Sequence, residues 1–211
     1  MLKECAALPP SGFFEISCPI PKKSISKNNK RALLPDTGFL LNEDVFADMS
    51  LSWDVTGIYL QVFFEKKCEA SFFPEYQKGD SVEIFIDTRA FKKNHSLTEF
   101  CHHFVFFPDQ ESSEIIGHEV TRFSTESAHP LADSSFFTGK AIFKRFSYEM
   151  EIKIPKKALF GFDPEQFPHL GFTYRINRYE MPPQHFSASS KFYAFEIRPE
   201  LWASIECVKS L

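Results

Sequence analysis

The stretch GDSVEIFIDTRAFKKNH, Gly79 to His95, decides the fold. Val82, Ile84 and Ile86 alternate with Glu83, Phe85 and Asp87, a period of two that puts one apolar row and one mixed row on opposite faces of a strand. The apolar row needs a core to face. The other row carries two carboxylates and continues into Arg89 and a basic, histidine-bearing loop, so it is either a binding surface or the solvated face of a sheet.

The same period recurs on both sides of this strand. In GIYLQVFFE, Ile58, Leu60, Val62 and Phe64 share a face opposite Tyr59, Gln61 and Phe63. It follows MSLSWDVTG, where Leu51 and Trp53 alternate with serines and Asp54–Gly57 supplies turn residues, which predicts a hairpin. FCHHFVFFP divides into His102, Phe104 and Phe106 against Cys101, His103, Val105 and Phe107, and Pro108 stops it. Residues 109–135 are polar and predict long loops around a short strand in HEVTRF. Further strands are predicted in GKAIFKRF, SYEMEIKIP (Tyr148, Met150, Ile152 and Ile154 inward), LGFTYRINRYE, KFYAFEIRP and LWASIECV. One helical turn is predicted in PKKALFGF, with Pro155 at its start and Gly161 at its stop.

About ten short strands without a βαβ rhythm predict an all-β protein, and apolar rows on so many strands are best buried by two antiparallel sheets packed face to face. The expected architecture is therefore a two-sheet β-sandwich of the immunoglobulin or jelly-roll kind, one domain over residues 1–211, with an N-terminal strand and basic loop before residue 36. Twenty-six phenylalanines among 211 residues fit this class, since large aromatic side chains favour pleated, half-buried surfaces.

Composition narrows the function classes. A formal net charge of −4 gives no general attraction to nucleic acid or anionic lipid, and the basic cluster Lys22–Arg31 lacks aromatic residues on which bases could stack; it reads as a solvated loop. The apolar runs are strand-length, too short to span a bilayer as a helix. The N-terminus, broken by Pro9 and Pro10, has no apolar run of signal-peptide length, which predicts a cytoplasmic protein, with secretion by a route lacking a cleavable signal left open. Five scattered cysteines without a CxxC pair predict free thiols.

In order along the chain, LSWDVTGIYLQVFF, GDSVEIFID, YEMEIKIPKKALFGFDP and LGFTYRIN resemble the family 9 carbohydrate-binding modules and the broader DOMON-like sandwiches. The likeness spans about residues 45–180, and CHHFVFFP and RPELWASIECV resemble those of a bacterial subgroup of such proteins. The resemblance implies a β-sandwich that binds a ligand without chemistry, most often a sugar and in some relatives a haem, with calcium as an accessory ion. No residues here match the family's calcium or haem ligands. Trp53 and Trp202 read as core residues rather than as stacking platforms.

The expected ligand-binding residues are Glu83, Phe85, Asp87 and Arg89, joined by Arg175 and Asn177 from the strand LGFTYRIN if Tyr174 and Ile176 face the core. Alternate strand residues about 7 Å apart suit a ligand with several hydroxyl groups. A solvated face with an ordinary Arg175–carboxylate ion pair is the competing reading. No metal site is predicted; Cys101 and His103 are the neighbouring pair that could share an ion, with His95, His118 or Asp87 as further ligands. Glu83 and Glu151 are the carboxylates a glycosidase would need, but no catalytic motif accompanies them, and no catalytic residue is assigned. The expected function is non-catalytic binding of a carbohydrate or another small polyhydroxylated ligand. The alternative is an intracellular protein-interaction module on the same fold, and a glycoside hydrolase is the third reading.

Overall fold

The computed structural model describes residues 15–23, 32–91, 96–121, 123 and 129–209. Cys5, most of the basic loop (residues 24–31) and His95 lie outside the described residues. Among the described residues, eleven strands form two sheets. The four-stranded sheet runs β2 (Ala47–Asp54), β3 (Gly57–Phe64), β8 (Tyr148–Pro155), β7 (Thr138–Phe143). The larger sheet runs β1 (Ser17–Pro21), β11 (Ala203–Val208), β9 (His169–Arg178), β4 (Ser81–Asp87), β5 (Cys101–Pro108), β6 (Ile115–Glu119), and β10 (Met181–His185) also pairs with β9. All pairings are antiparallel except that of β1 with β11, which is parallel.

The inward rows are those the alternation predicts. Leu51 and Trp53, Ile58 to Phe64, and Tyr148 to Ile154 on the smaller sheet face Val82, Ile84, Ile86, Phe104 and Phe106 on the larger one, in one continuous core. Each such side chain contributes about 1.5–3 kcal/mol on burial, so the alternation itself fixes which way every strand faces. Trp53 is part of this core, and its Nε1 donates to the carbonyls of Ile20 and Val208, both at 3.1 Å, tying β2 to the β1–β11 edge. The β2–β3 hairpin closes with Asp54 accepting from the Thr56 backbone N–H at 2.7 Å. Gly57 has φ +153°, and a Cβ there would come within 2.2 Å of the Ile154 carbonyl oxygen, so β8 packs where only glycine fits.

Two local expectations are corrected. The turn after Pro155 is a three-residue 3₁₀ turn, Lys156–Ala158, while the α-helix is α1 (Gly38–Leu41), a single turn. The segment KFYAFEIRP is not a strand: it holds the 3₁₀ turns Phe195–Ile197 and Pro199–Leu201. Its aromatic residues mimic strand periodicity because they pack onto a sheet rather than extend one. Phe195, Leu201, Trp202 and Ala188 lie across the outer face of the larger sheet, against Phe85 and Cys101, and make a second apolar cluster. Trp202, as expected, is buried, with Nε1 donating to the Phe195 carbonyl at 2.8 Å.

Candidate functional site

That outer layer changes the reading of the Glu83 row. Glu83, Phe85 and Asp87 are 0%, 0% and 1% exposed, and Arg175 and Asn177 are buried beside them. The expectation that these residues form an open sheet face is corrected: residues 186–202 cover it. The register places Glu83 opposite Arg175 on β9 and next to Val105 on β5, so strand pairing alone brings the ion pair together. Arg175 donates to the two carboxylate oxygens of Glu83 from Nε and Nη2 at 2.6 and 2.7 Å. Asn177 adds a bond at 2.7 Å, and His103 Nε2 lies 3.0 Å away.

Burial alone would raise the Glu83 pKa. The hydrogen bonds from His103 and Arg175 and the guanidinium charge outweigh it and hold the carboxyl down at about 2. Glu83 is therefore an anion with its acceptors occupied. Only the far side of the network reaches water, where Arg175 bonds Glu196, whose side chain is 29% exposed.

Phe85 stacks on His103 with centroids 4.1 Å apart and meets Phe195 edge-on at 5.2 Å, so its faces are used within the protein. Asp87 accepts the backbone N–H groups of Arg89 and Phe91 at 2.9 and 2.7 Å, which shapes the turn after β4. The proposed metal pair does not form either. His103 is held between Glu83 and Thr121, while the Cys101 thiol, pushed up to about 11 by burial and the Asp87 charge, lies beside Thr98. His118 points outward and stacks on Phe73. Glu83 and Glu151 belong to different sheets, and Glu151 pairs with Lys140 and Gln61, so the two carboxylates expected of a hydrolase do not converge.

Arg89 is the one of the six expected ligand-binding residues that reaches an opening. Its guanidinium lies 3.8 Å over Phe167 and 4.9 Å over Phe100 and bonds the Gly161 carbonyl. It forms one wall of a groove of about 650 Å³, at the end of the sandwich where the 3₁₀ turn after β8 meets the loop before β7. His129, Lys156, Lys157, Phe160 and Asp163 also line it. Phe160 is 47% exposed and lines the groove, its ring stacked loosely on Phe100 and His129 with centroids 5.5 and 6.0 Å apart.

At the inner end of the groove lies a polar cluster that strand alternation did not single out. His102 on β5 and Glu119 on β6 face the interior, and His129 comes to them from the loop. Glu119 Oε1 is 2.7 Å from His102 Nδ1 and 2.8 Å from His129 Nε2, while Oε2 accepts from the Ala132 N–H at 2.7 Å. Burial alone would raise the Glu119 carboxyl; the two imidazoles outweigh it and bring it to about 2. Among the described residues, this is the group of three His, Cys, Asp or Glu side chains whose ligand atoms lie within 4.8 Å of one another. Two nitrogens and one carboxylate do not suit calcium, which takes six to eight oxygens, so the calcium implied by the resemblance finds no fit there. The sequence signal was present: His102 is the polar residue in the row His102, Phe104, Phe106.

No family model matches the chain, and no curated protein matches it. Among solved structures, the chain is similar to a family 9 carbohydrate-binding module from Caldicellulosiruptor kristjanssonii in complex with cellotriose. Identity is 16%, 92% of this chain and 94% of that one are covered, and the TM-score is 0.59. A structure of a family 9 module from the same organism in complex with glucose gives 15% identity, coverage of 92% and 97%, and a TM-score of 0.55. The fold is thus that of a family 9 carbohydrate-binding module. No helix among the described residues is long and apolar enough to cross a membrane.

Proposed function

We propose that the protein binds a saccharide or similarly polyhydroxylated ligand without catalysis, in the groove between Arg89 and Phe160 rather than on the buried Glu83 row. The observation that carries this reading is the groove's composition. A partly exposed aromatic residue lies among a guanidinium, two ammonium groups and a carboxylate, in a volume within the range of small-ligand sites. An aromatic face covers the apolar side of a sugar ring, and Arg89, Lys156, Lys157 and Asp163 offer hydrogen bonds to its hydroxyls. The likeness to modules whose structures hold cellotriose and glucose supports the ligand class by analogy. The test is a glycan array with labelled protein, with and without calcium, using heat-denatured protein as control. Saturable binding to a related set of glycans, weakened at least tenfold by Phe160→Ala in a protein of unchanged melting temperature, is expected. Absence of binding, or binding indifferent to Phe160→Ala, refutes the assignment.

The interaction-module reading has its own observation. On α1, Phe39 is 96% exposed and Leu40 46%, beside Val45 at 40%, an apolar patch. A partner retained by the wild type and lost with Phe39→Asp supports it, and no difference between the two counts against it.

A further inference from the structure

We propose that His102, Glu119 and His129 form a binding site for a transition-metal dication of the zinc type. Two imidazole nitrogens and one carboxylate oxygen are a donor set that zinc accepts, leaving a fourth position for water. His102 and Glu119 stand on neighbouring strands, where Glu119 pairs in register with Phe104, so two of the three donors are fixed by sheet hydrogen bonding. The third, His129, sits on a loop and can adjust. Donors around a tetrahedral zinc lie roughly 3.3 Å apart, given bonds of about 2.0–2.1 Å, so the present 2.7 and 2.8 Å contacts must open by about half an ångström.

The hydrogen bonding around the donors favours positive charge at this point. His129 Nδ1 lies 2.6 Å from the Glu99 carbonyl, which accepts its proton, and Nε2 faces the Glu119 carboxylate. Both ring nitrogens therefore face acceptors. Only a second proton or a metal ion can occupy the Nε2 side, and a histidine whose other N–H is held by a backbone carbonyl is oriented as metal-binding histidines are. The second oxygen of Glu119 is likewise held, by the Ala132 N–H.

His102 adds an independent observation. Its side chain is fully buried, and among the described residues Nε2 makes no hydrogen bond of ordinary geometry, although the Phe160 carbonyl approaches the ring. With the proton on Nδ1, Nε2 is a bare lone pair with no donor among the described residues to meet it. With a metal on Nδ1 the proton moves to Nε2, where that carbonyl can accept it, so occupancy satisfies the buried atom that is otherwise orphaned. The groove supplies the entry path, since His129, Ala132 and Phe160 all line it.

The test uses the full chain, stripped with a chelator and titrated with Zn²⁺ by calorimetry and with Co²⁺ by visible absorption. One equivalent of either ion should bind, Co²⁺ with the intense visible bands of a four-coordinate site, and Zn²⁺ should raise the melting temperature. His129→Ala, on the loop, should bind at least about 10-fold more weakly while keeping its circular dichroism, because losing a ligand costs no less than losing a partner that orients one. Glu119→Gln should do the same if it folds, and His118→Ala, outside the site, should bind as the wild type does. Failure to bind one equivalent, or undiminished binding in folded His129→Ala, overturns the proposal.

Discussion

Replacing Arg175 with alanine separates a buried ion pair from a surface one. The Glu83 side chain is 0% exposed and that of Arg175 is 6%. The substitution removes two charge-assisted bonds to Glu83 and one to Glu196. Glu196 is partly solvated and regains water, so its bond contributes little to the cost. Glu83 cannot regain water: it is left with Asn177 and His103 under the cover of residues 186–202. Stranding a buried charge costs about 3–5 kcal/mol, whereas an exposed pair is worth about 0–1 kcal/mol. For a chain of this size that is a fall in Tm of about 6–20 °C, and urea denaturation should give the same free energy from the midpoint at unchanged slope. The double mutant Arg175→Ala/Glu83→Gln should recover part of the loss, because the uncompensated charge is gone. A loss below about 1 kcal/mol in Arg175→Ala would mean that the row is solvated and the cover layer loose.

Other outcomes follow from the same packing. Because Glu83 titrates near 2 when folded and near the ordinary value of about 4.3 when unfolded, its contribution is complete above about pH 5 and is lost as pH falls towards 2; melting temperatures across that window should fall less steeply in Glu83→Gln than in the wild type. Phe85→Ala should cost about 3–5 kcal/mol in denaturant melts, the value for a core ring, where a solvated sheet face would show within about 0.5 kcal/mol of zero. Asp87→Ala should cost about 1–3 kcal/mol by stranding the Arg89 and Phe91 backbone N–H groups, and increased amide exchange should be confined to the turn after β4.

The sandwich was legible because burial acts strand by strand. Alternation at Ile58–Phe64, Val82–Ile86 and Tyr148–Ile154 is a local record of which face meets the core, and the Asp54–Gly57 turn fixes the register of its hairpin. The function of the opposite row was not legible for the same reason. Alternation reports that Glu83, Phe85 and Asp87 share a face, but whether that face meets water depends on residues 186–202, a hundred positions away. Those residues have no period of their own, since 3₁₀ turns present side chains irregularly, and Phe195 and Trp202 imitate a strand while serving as a lid. Phe85 was the available hint, a large aromatic between two carboxylates on a face that was otherwise polar.

A face that is later covered must satisfy its own polar atoms, and the Glu83 network does so: Arg175, Asn177 and His103 occupy the carboxylate, and Thr121 occupies the other nitrogen of His103. Such closure stabilises one arrangement and leaves little for a ligand to gain. The inner cluster is the reverse case. His102 and Glu119 break apolar rows at the ends of β5 and β6, where a loop brings His129, and among the described residues one buried nitrogen makes no hydrogen bond of ordinary geometry. Local sequence rules are broken at both places, but only at the second is the break left incompletely compensated among the described residues, and such a polar atom at the inner end of an open groove is where a ligand adds most.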